Sequence, residues 1–180
     1  MLEQQRDLSF IYRYFIAEKQ ESLLFLIVGI AAIALAVVFY FFIKTNPSFF
    51  RGAAIPLVAI GIVQCVVGYT VYSRSDKQRV DIAYNIGMEP AAFTKQTELP
   101  RMEKVMKNFI IYRYVEILLA LAGLGLFLYF TNGETKIFWK GLGLTLATQA
   151  LLMLGADHFA EKRGLFYQKE LEQLLAGGMH

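Results

Sequence analysis

Four long apolar runs constrain the fold of this 180-residue chain more than any other feature of its sequence. They occupy residues 22–43, 52–72, 110–130 and 137–160, and as a helix each would cross a hydrocarbon core of about 30 Å. A segment in lipid must satisfy its own backbone hydrogen bonds, which favours helices. The sequence therefore predicts an all-α polytopic membrane protein, with four transmembrane helices in a single domain over residues 1–180.

Composition agrees with this class and excludes others. Hydrophobic residues make up 56% of the chain and charged residues 18%, against roughly 45–50% and about 25% in soluble domains. The net charge of +3 is too small to indicate a nucleic-acid partner. Cys65 is the single cysteine, so no internal disulfide is expected. The sequence predicts the lipid bilayer as a partner of the four runs.

Basic residues are distributed unevenly between the segments that flank the four runs. Thirteen lie before residue 22, in the loop 73–108 or after residue 160, whereas four lie in or beside the two short loops near Asn46 and Asn132. Segments rich in Lys and Arg remain in the cytoplasm. The asymmetry predicts an integral plasma (inner) membrane protein whose two termini and middle loop are cytoplasmic.

Two pairs of similar segments indicate an internal repeat. Residues 11–14 have the sequence IYRY, which recurs at residues 111–114. Phe50-Arg51-Gly52 opens the second run much as Trp139-Lys140-Gly141 opens the fourth. These similarities predict two tandem helical hairpins that both enter the membrane from the cytoplasm.

The flanking segments are predicted to form cytoplasmic helical extensions of the spans. Apolar residues follow helical spacing at Leu8, Ile11 and Phe15, so this stretch either lies along the membrane surface or extends the first span inward. The helical loop 73–108 is too short for an independent core. We expect it to dock against the inner ends of the spans.

Six polar residues inside or at the edge of the runs are the candidate functional residues. They are Gln64, Arg113, Glu116, Gln149, Asp157 and His158. An ionisable residue within a span is a functional hypothesis by default. Arg113 and Glu116 are three positions apart and share a helix face, so Glu116 is either a proton or cation site or the partner of Arg113 in an ion pair at the cytoplasmic boundary.

The other four candidates also have a structural interpretation beside the functional one. Gln64 and Gln149 lie near mid-span, where a side-chain amide either hydrogen-bonds across helices or lines a polar solute path. Asp157 and His158 are neighbours that point to different helix faces, and without a third ligand they are a poor metal site. We therefore predict no metal and no cofactor, and we interpret His158 as a boundary hydrogen-bonding residue.

Small residues at helical spacing provide candidate packing faces. They are Ala32, Ala36, Gly123, Gly125, Gly143 and Ala147. In lipid, small residues let helices approach closely. These faces belong either to the interior of the four-helix bundle or to an interface with another chain, which includes a homo-oligomer.

The sequence lacks the motifs of phosphate-, nucleotide- and zinc-dependent enzymes and of serine hydrolases. We therefore expect a non-catalytic membrane protein that binds a membrane protein or a membrane-inserting protein, as an immunity protein or an accessory subunit does. The alternative is a small-solute or ion transporter or channel subunit that uses the intramembrane polar residues.

Overall fold

The computed structural model describes residues 8–130 and 134–177, and within these ranges the chain is helical. The helices are α1 (Ser9–Phe41), α2 (Pro47–Met88), the short α3 (Pro90–Phe93), α4 (Leu99–Tyr129) and α5 (Glu134–Gly177), and the π-helical turn Thr94–Glu98 joins α3 to α4. Four helices are long and apolar enough to cross a membrane. The predicted all-α fold with four candidate transmembrane helices is confirmed.

The four long helices continue well beyond their apolar runs. α1 is one uninterrupted helix from Ser9, so the N-terminal apolar stretch extends the first span rather than forming a separate surface helix. α2 has 42 residues and α5 has 44, so each is roughly 65 Å long at 1.5 Å per residue. That is about twice the thickness of the hydrocarbon core.

The connection between α1 and α2 is short and has a defined conformation. Asn46 adopts left-handed backbone angles with φ of 49°, a conformation that asparagine tolerates better than most residues. Pro47 follows at the start of α2, where its missing N–H leaves no intrahelical bond unmade. The second predicted turn, around Asn132, lies outside the described residues.

The helices pack side by side in the order α1, α2, α5, α4. The extensive contacts join α1 to α2, α2 to α5, and α4 to α5, with a smaller contact between α1 and α5. α4 therefore lies at one edge of the row, where α5 is its main helical neighbour. This order determines which polar side chains face each other.

Large apolar side chains are buried mainly at one end of the four helices, the end away from the α1–α2 turn. We call it the polar end (residues 8–21, 73–109 and 161–177). All four long helices contribute to one cluster there, formed by Phe10, Ile11, Tyr14, Phe15, Ile82, Ile86, Met102, Tyr167 and Leu171. The loop 73–108 packs into this cluster through α2 and α4. Within the apolar runs, α1 and α2 instead meet through small residues such as Ala32, Ala36 and Ala54.

Candidate functional site

The six polar candidates do not form one site. Gln64 lies between α1 and α2, with its Cβ close to Gly29 of α1. Glu116 of α4 and Asp157 of α5 lie together in the α4–α5 interface. Gln149 is buried on α5, one residue before the fully buried Ala150. Side chains that a polar path would need are thus divided between at least two helix interfaces.

The two glutamines do not use their carbonyl oxygens for the predicted helix-to-helix hydrogen bonds. Gln64 and Gln149 are only 1% and 5% exposed, and the Oε1 atom of each is buried without a hydrogen-bond partner. Each therefore carries the cost of a buried polar atom without the compensating bond.

Arg113 does not pair with Glu116, so the predicted boundary ion pair between these two residues is wrong. Arg113 of α4 instead forms a salt bridge with Glu161 of α5. The adjacent helix offers Arg113 the carboxylate of Glu161, which lies one turn nearer the polar end than Asp157. Glu116 is left without its expected cation.

Glu116 is buried with no donor in reach. Its side chain is 3% exposed, and neither carboxyl oxygen has a hydrogen-bond partner. The group that it faces is the carboxyl of Asp157. Two ionised carboxylates offer acceptors alone, so this contact becomes a hydrogen bond only if one of them carries a proton.

A groove runs between α4 and α5 beside this carboxyl pair. Its volume is about 710 Å³, and its walls are apolar at Ile117, Leu151 and Leu154. Five charged and polar side chains also line it: Arg113, Asp157, His158, Glu161 and Lys162. Asp157 thus contacts Glu116 on one side and the groove on the other. We refer to this cavity as the α4–α5 groove.

His158 is exposed, and its ring lies beside that of Phe159, with 5.9 Å between the centroids. Among residues 8–130 and 134–177, no group of three or more His, Cys, Asp or Glu side chains is arranged to hold a metal ion. Cys65 is half-buried against α1, where its Sγ lies 3.9 Å from the carbonyl oxygen of Leu26.

Five of the six predicted small-residue positions lie in interfaces within this chain. Ala32 and Ala36 are buried between α1 and α2. A Cβ at Gly123 would lie 2.5 Å from the backbone nitrogen of Ala147, and one at Gly143 would lie 2.5 Å from the carbonyl oxygen of Gly123. Gly125 is different, because a Cβ placed there would meet nothing within 4 Å.

A second polar group, at the polar end, was missed by sequence reasoning. Glu98 is 1% exposed and accepts hydrogen bonds from Arg101 Nε at 2.8 Å, from Arg101 Nη2 at 2.7 Å and from the Tyr167 hydroxyl at 2.8 Å. The Glu98–Arg101 spacing of three residues was a local signal for the ion pair. Nothing local identified Tyr167, which is 69 residues away along the chain.

Electrostatics at the polar end follow from this burial. Desolvation, together with the charge of Glu98, raises the pKa of Tyr167 well above its usual range. Tyr14 stacks on Tyr167 with ring centroids 4.2 Å apart, and burial raises its pKa in the same way. Both phenols therefore stay neutral, and the Tyr167 hydroxyl keeps the proton that it donates to Glu98.

Compared with models of protein families, with curated proteins and with solved structures, the chain matches none.

Proposed function

We propose that this chain is a non-catalytic integral membrane protein that acts by binding another protein within or beside the bilayer. The partner is either a protein that inserts into the membrane, as for an immunity protein, or a larger membrane complex to which this chain is an accessory subunit. A second copy of the chain is a special case of such a partner.

One observation carries this proposal, the one-sided packing of α4. Its inner face points to α5 and recurs at helical spacing: Met102, Phe109, Arg113, Glu116, Ala120, Gly123 and Phe127. Its opposite side, which we call the α4 outer face, is exposed: Ile111, Tyr114, Leu118, Leu121, Gly125 and Leu128. α4 is thus a long edge helix with a complete face free for another helix.

Gly125 makes the α4 outer face more than a generic lipid-facing surface. Because hydrophobic driving force between helices is absent in lipid, association there depends on close packing and is favoured by small residues. The other glycines of the predicted packing faces meet atoms of a neighbouring helix within this chain, whereas Gly125 has open space around it. Leu121 and Leu128 are exposed and lie one turn to either side of it on the same helix face, so we expect a shallow notch at Gly125.

The orientation proposed with this function has both termini and the loop 73–108 in the cytoplasm of an inner-membrane protein. Its support is the thirteen-to-four distribution of basic residues. The polar end would then be the cytoplasmic end, and the helical extensions that build the cluster around Tyr167 would lie in water.

The repeat is proposed in the same way, as two tandem hairpins, α1–α2 and α4–α5. Its support is a reciprocal contact between corresponding residues of α2 and α5. A Cβ at Gly52 would lie 2.0 Å from the carbonyl oxygen of Phe138, and a Cβ at Gly141 would lie 2.1 Å from that of Phe49. Phe138 lies three positions before Gly141, and Phe49 lies three positions before Gly52. The two contacts are therefore equivalent.

In-membrane photocrosslinking tests the binding proposal. A photoreactive residue placed at Leu118 or Leu121 on the α4 outer face should yield one discrete protein adduct in native membranes. The same residue at Ile62 or Val66, which are exposed on α2, is the control and should not yield that adduct. Equal adducts from both helices, or none from α4, would show that α4 is not a binding surface.

A substitution series sharpens the same experiment. Gly125→Leu fills the notch and should abolish the adduct from Leu118 while membrane insertion is retained. Ala59→Leu enlarges an exposed position on α2 and should leave the adduct unchanged. Retention of the adduct in the Gly125 variant would contradict the role given to the notch.

The second candidate function is a small-solute or ion pathway, and the burial of Glu116 without a partner favours it. Purified protein in liposomes would then move a specific solute or ion. Loss of that flux in Glu116→Gln or Gln64→Leu, with the protein still inserted, would replace the binding proposal with transport. Absence of flux leaves the binding proposal in place.

A further inference from the structure

The contact between Glu116 and Asp157 places two carboxyl groups together inside a helix interface. Glu116 is 3% exposed, and both of its carboxyl oxygens lack a hydrogen-bond donor. Asp157 is half-buried and presents its carboxyl to Glu116 from α5. A pair of this kind cannot be stabilised by solvent on the Glu116 side.

The cations near this pair do not neutralise it. On α4, Arg113 is already bound to Glu161. On α5, His158 is exposed, and Lys162 lies one turn beyond it along the groove. Glu161, which also faces the groove, adds a further negative charge. Within the described residues, this cluster therefore has three acidic groups, and its one salt bridge joins Arg113 to Glu161.

Two carboxylates in contact in a desolvated site do not both ionise, because their repulsion adds to the cost of burying each charge. A single shared proton removes one charge and creates a hydrogen bond between the carboxyls. We propose that Glu116 and Asp157 bind one proton between them and form a proton-binding site in the α4–α5 interface. The site is independent of whether the chain moves a solute.

The α4–α5 groove supplies the route by which this proton exchanges. Asp157 lines the groove as well as contacting Glu116, and the groove holds about 710 Å³. The proton therefore passes between the groove and the Asp157 carboxyl, which then donates to a Glu116 oxygen or accepts from it. The O–H bond is the one covalent bond that this step makes or breaks.

The proton also acts as a clamp on α4. With it, the two carboxyls attract and hold α4 against α5. As pH rises and the proton leaves, the two negative charges repel across the same interface. The stabilisation is therefore present while the pair holds its proton and is lost at higher pH, and it acts on the helix that carries the α4 outer face.

Infrared spectroscopy of the full-length protein in liposomes tests the site directly. A protonated carboxyl has a C=O stretch that is separate from the carboxylate bands, so its presence can be followed as pH is raised. The wild type should show this band at neutral pH and lose it at higher pH. Both Glu116→Gln and Asp157→Asn should lack it at neutral pH, because the amide then donates to the remaining carboxylate.

Glu103→Gln is the matched control, since Glu103 is an exposed acid on the same helix; it should leave the band unchanged. Circular dichroism establishes that each variant folds. If a variant fails to fold, dicyclohexylcarbodiimide, which modifies protonated carboxyls in apolar surroundings, should label Glu116 or Asp157 of the wild type at neutral pH. Mass spectrometry would locate the adduct.

Three results would overturn the proposal. The first is absence of the band in the wild type at neutral pH. The second is survival of the band in either folded single variant, since one carboxyl would then be protonated by burial alone. The third is carbodiimide labelling of neither residue in the wild type.

Discussion

At the residue scale, Glu98 shows what it takes to keep a carboxylate buried. Three hydrogen bonds from two side chains surround it, two from Arg101 and one from Tyr167. The guanidinium of Arg101 also lies over the ring of Phe15, with 5.8 Å between its Cζ and the ring centroid. Burial lowers and the Glu98 carboxylate raises the pKa of Arg101, and the net effect is upward. Glu116, which has no such partners, is the contrasting case.

Substitution of Arg101 or Tyr167 should destabilise the fold, and more so for Arg101, which supplies two hydrogen bonds and a charge, whereas Tyr167 supplies one hydrogen bond. Arg101→Met leaves a buried carboxylate without its cation and should lower the free energy of unfolding by about 3 kcal/mol. Tyr167→Phe removes one hydrogen bond to a charged acceptor and should cost about 1.5 kcal/mol. Tyr84→Phe is the control, because Tyr84 is 66% exposed.

Reversible unfolding in mixed micelles measures these differences. A loss for Arg101→Met no greater than that of the Tyr84 control would show that Glu98 does not depend on its ion pair.

At the element scale, α4 and α5 are held at a distance that only glycine permits. The backbones approach closely where Gly123 meets Ala147 and where Gly143 meets Gly123 and Phe127. Large residues of the same helices point outward and are exposed. Dispersion contacts between close backbones, rather than burial of large side chains, therefore provide the attraction in this part of the interface.

Two glycines on one helix give a matched test of this packing. Gly123→Ala places a methyl group 2.5 Å from a backbone nitrogen, so the helices must separate, at a cost of about 1–3 kcal/mol. Gly125→Ala meets nothing within 4 Å and should be neutral or stabilising by up to about 1 kcal/mol, as expected for helix propensity. Unfolding free energies of the two variants decide the point, and equal effects would contradict the interface.

At the scale of the whole molecule, the two ends of the helices pack by different physics. The main cluster of large buried side chains lies at the polar end and joins all four long helices. In the apolar runs, most large side chains are exposed and small residues form the contacts. This division is the one expected in a bilayer. Removing apolar surface from water lowers the free energy, whereas removing it from lipid does not.

Topology is the prediction that belongs to this scale. Reporter fusions at Thr45, at Asn132 and after the last residue should place the first two outside and the last in the cytoplasm, because the basic residues concentrate at the opposite end. A fusion within the loop 73–108 is the control and should report the cytoplasm. A C-terminal reporter on the outside would contradict the topology.

The sequence alone determined the number of long helices and where each is apolar, because a chain in lipid has few ways to satisfy its backbone. The charge distribution predicted an orientation from the sequence in the same way. The position of Glu116 within an apolar run also identified it as unusual. It could not identify the residue that Glu116 faces, because Asp157 lies 41 positions further along the chain, on another helix.

Only the tertiary structure decided which helices are neighbours and which faces meet. In it Arg113 pairs with Glu161 rather than with Glu116. Gly123 lies in the α4–α5 interface, whereas Gly125 contacts no other helix. Helical periodicity specifies the faces of one helix but not the rotation or order of several. In lipid, hydrophobicity adds no information about which face turns inward, so those choices depend on close packing and on pairs of polar groups far apart in the chain.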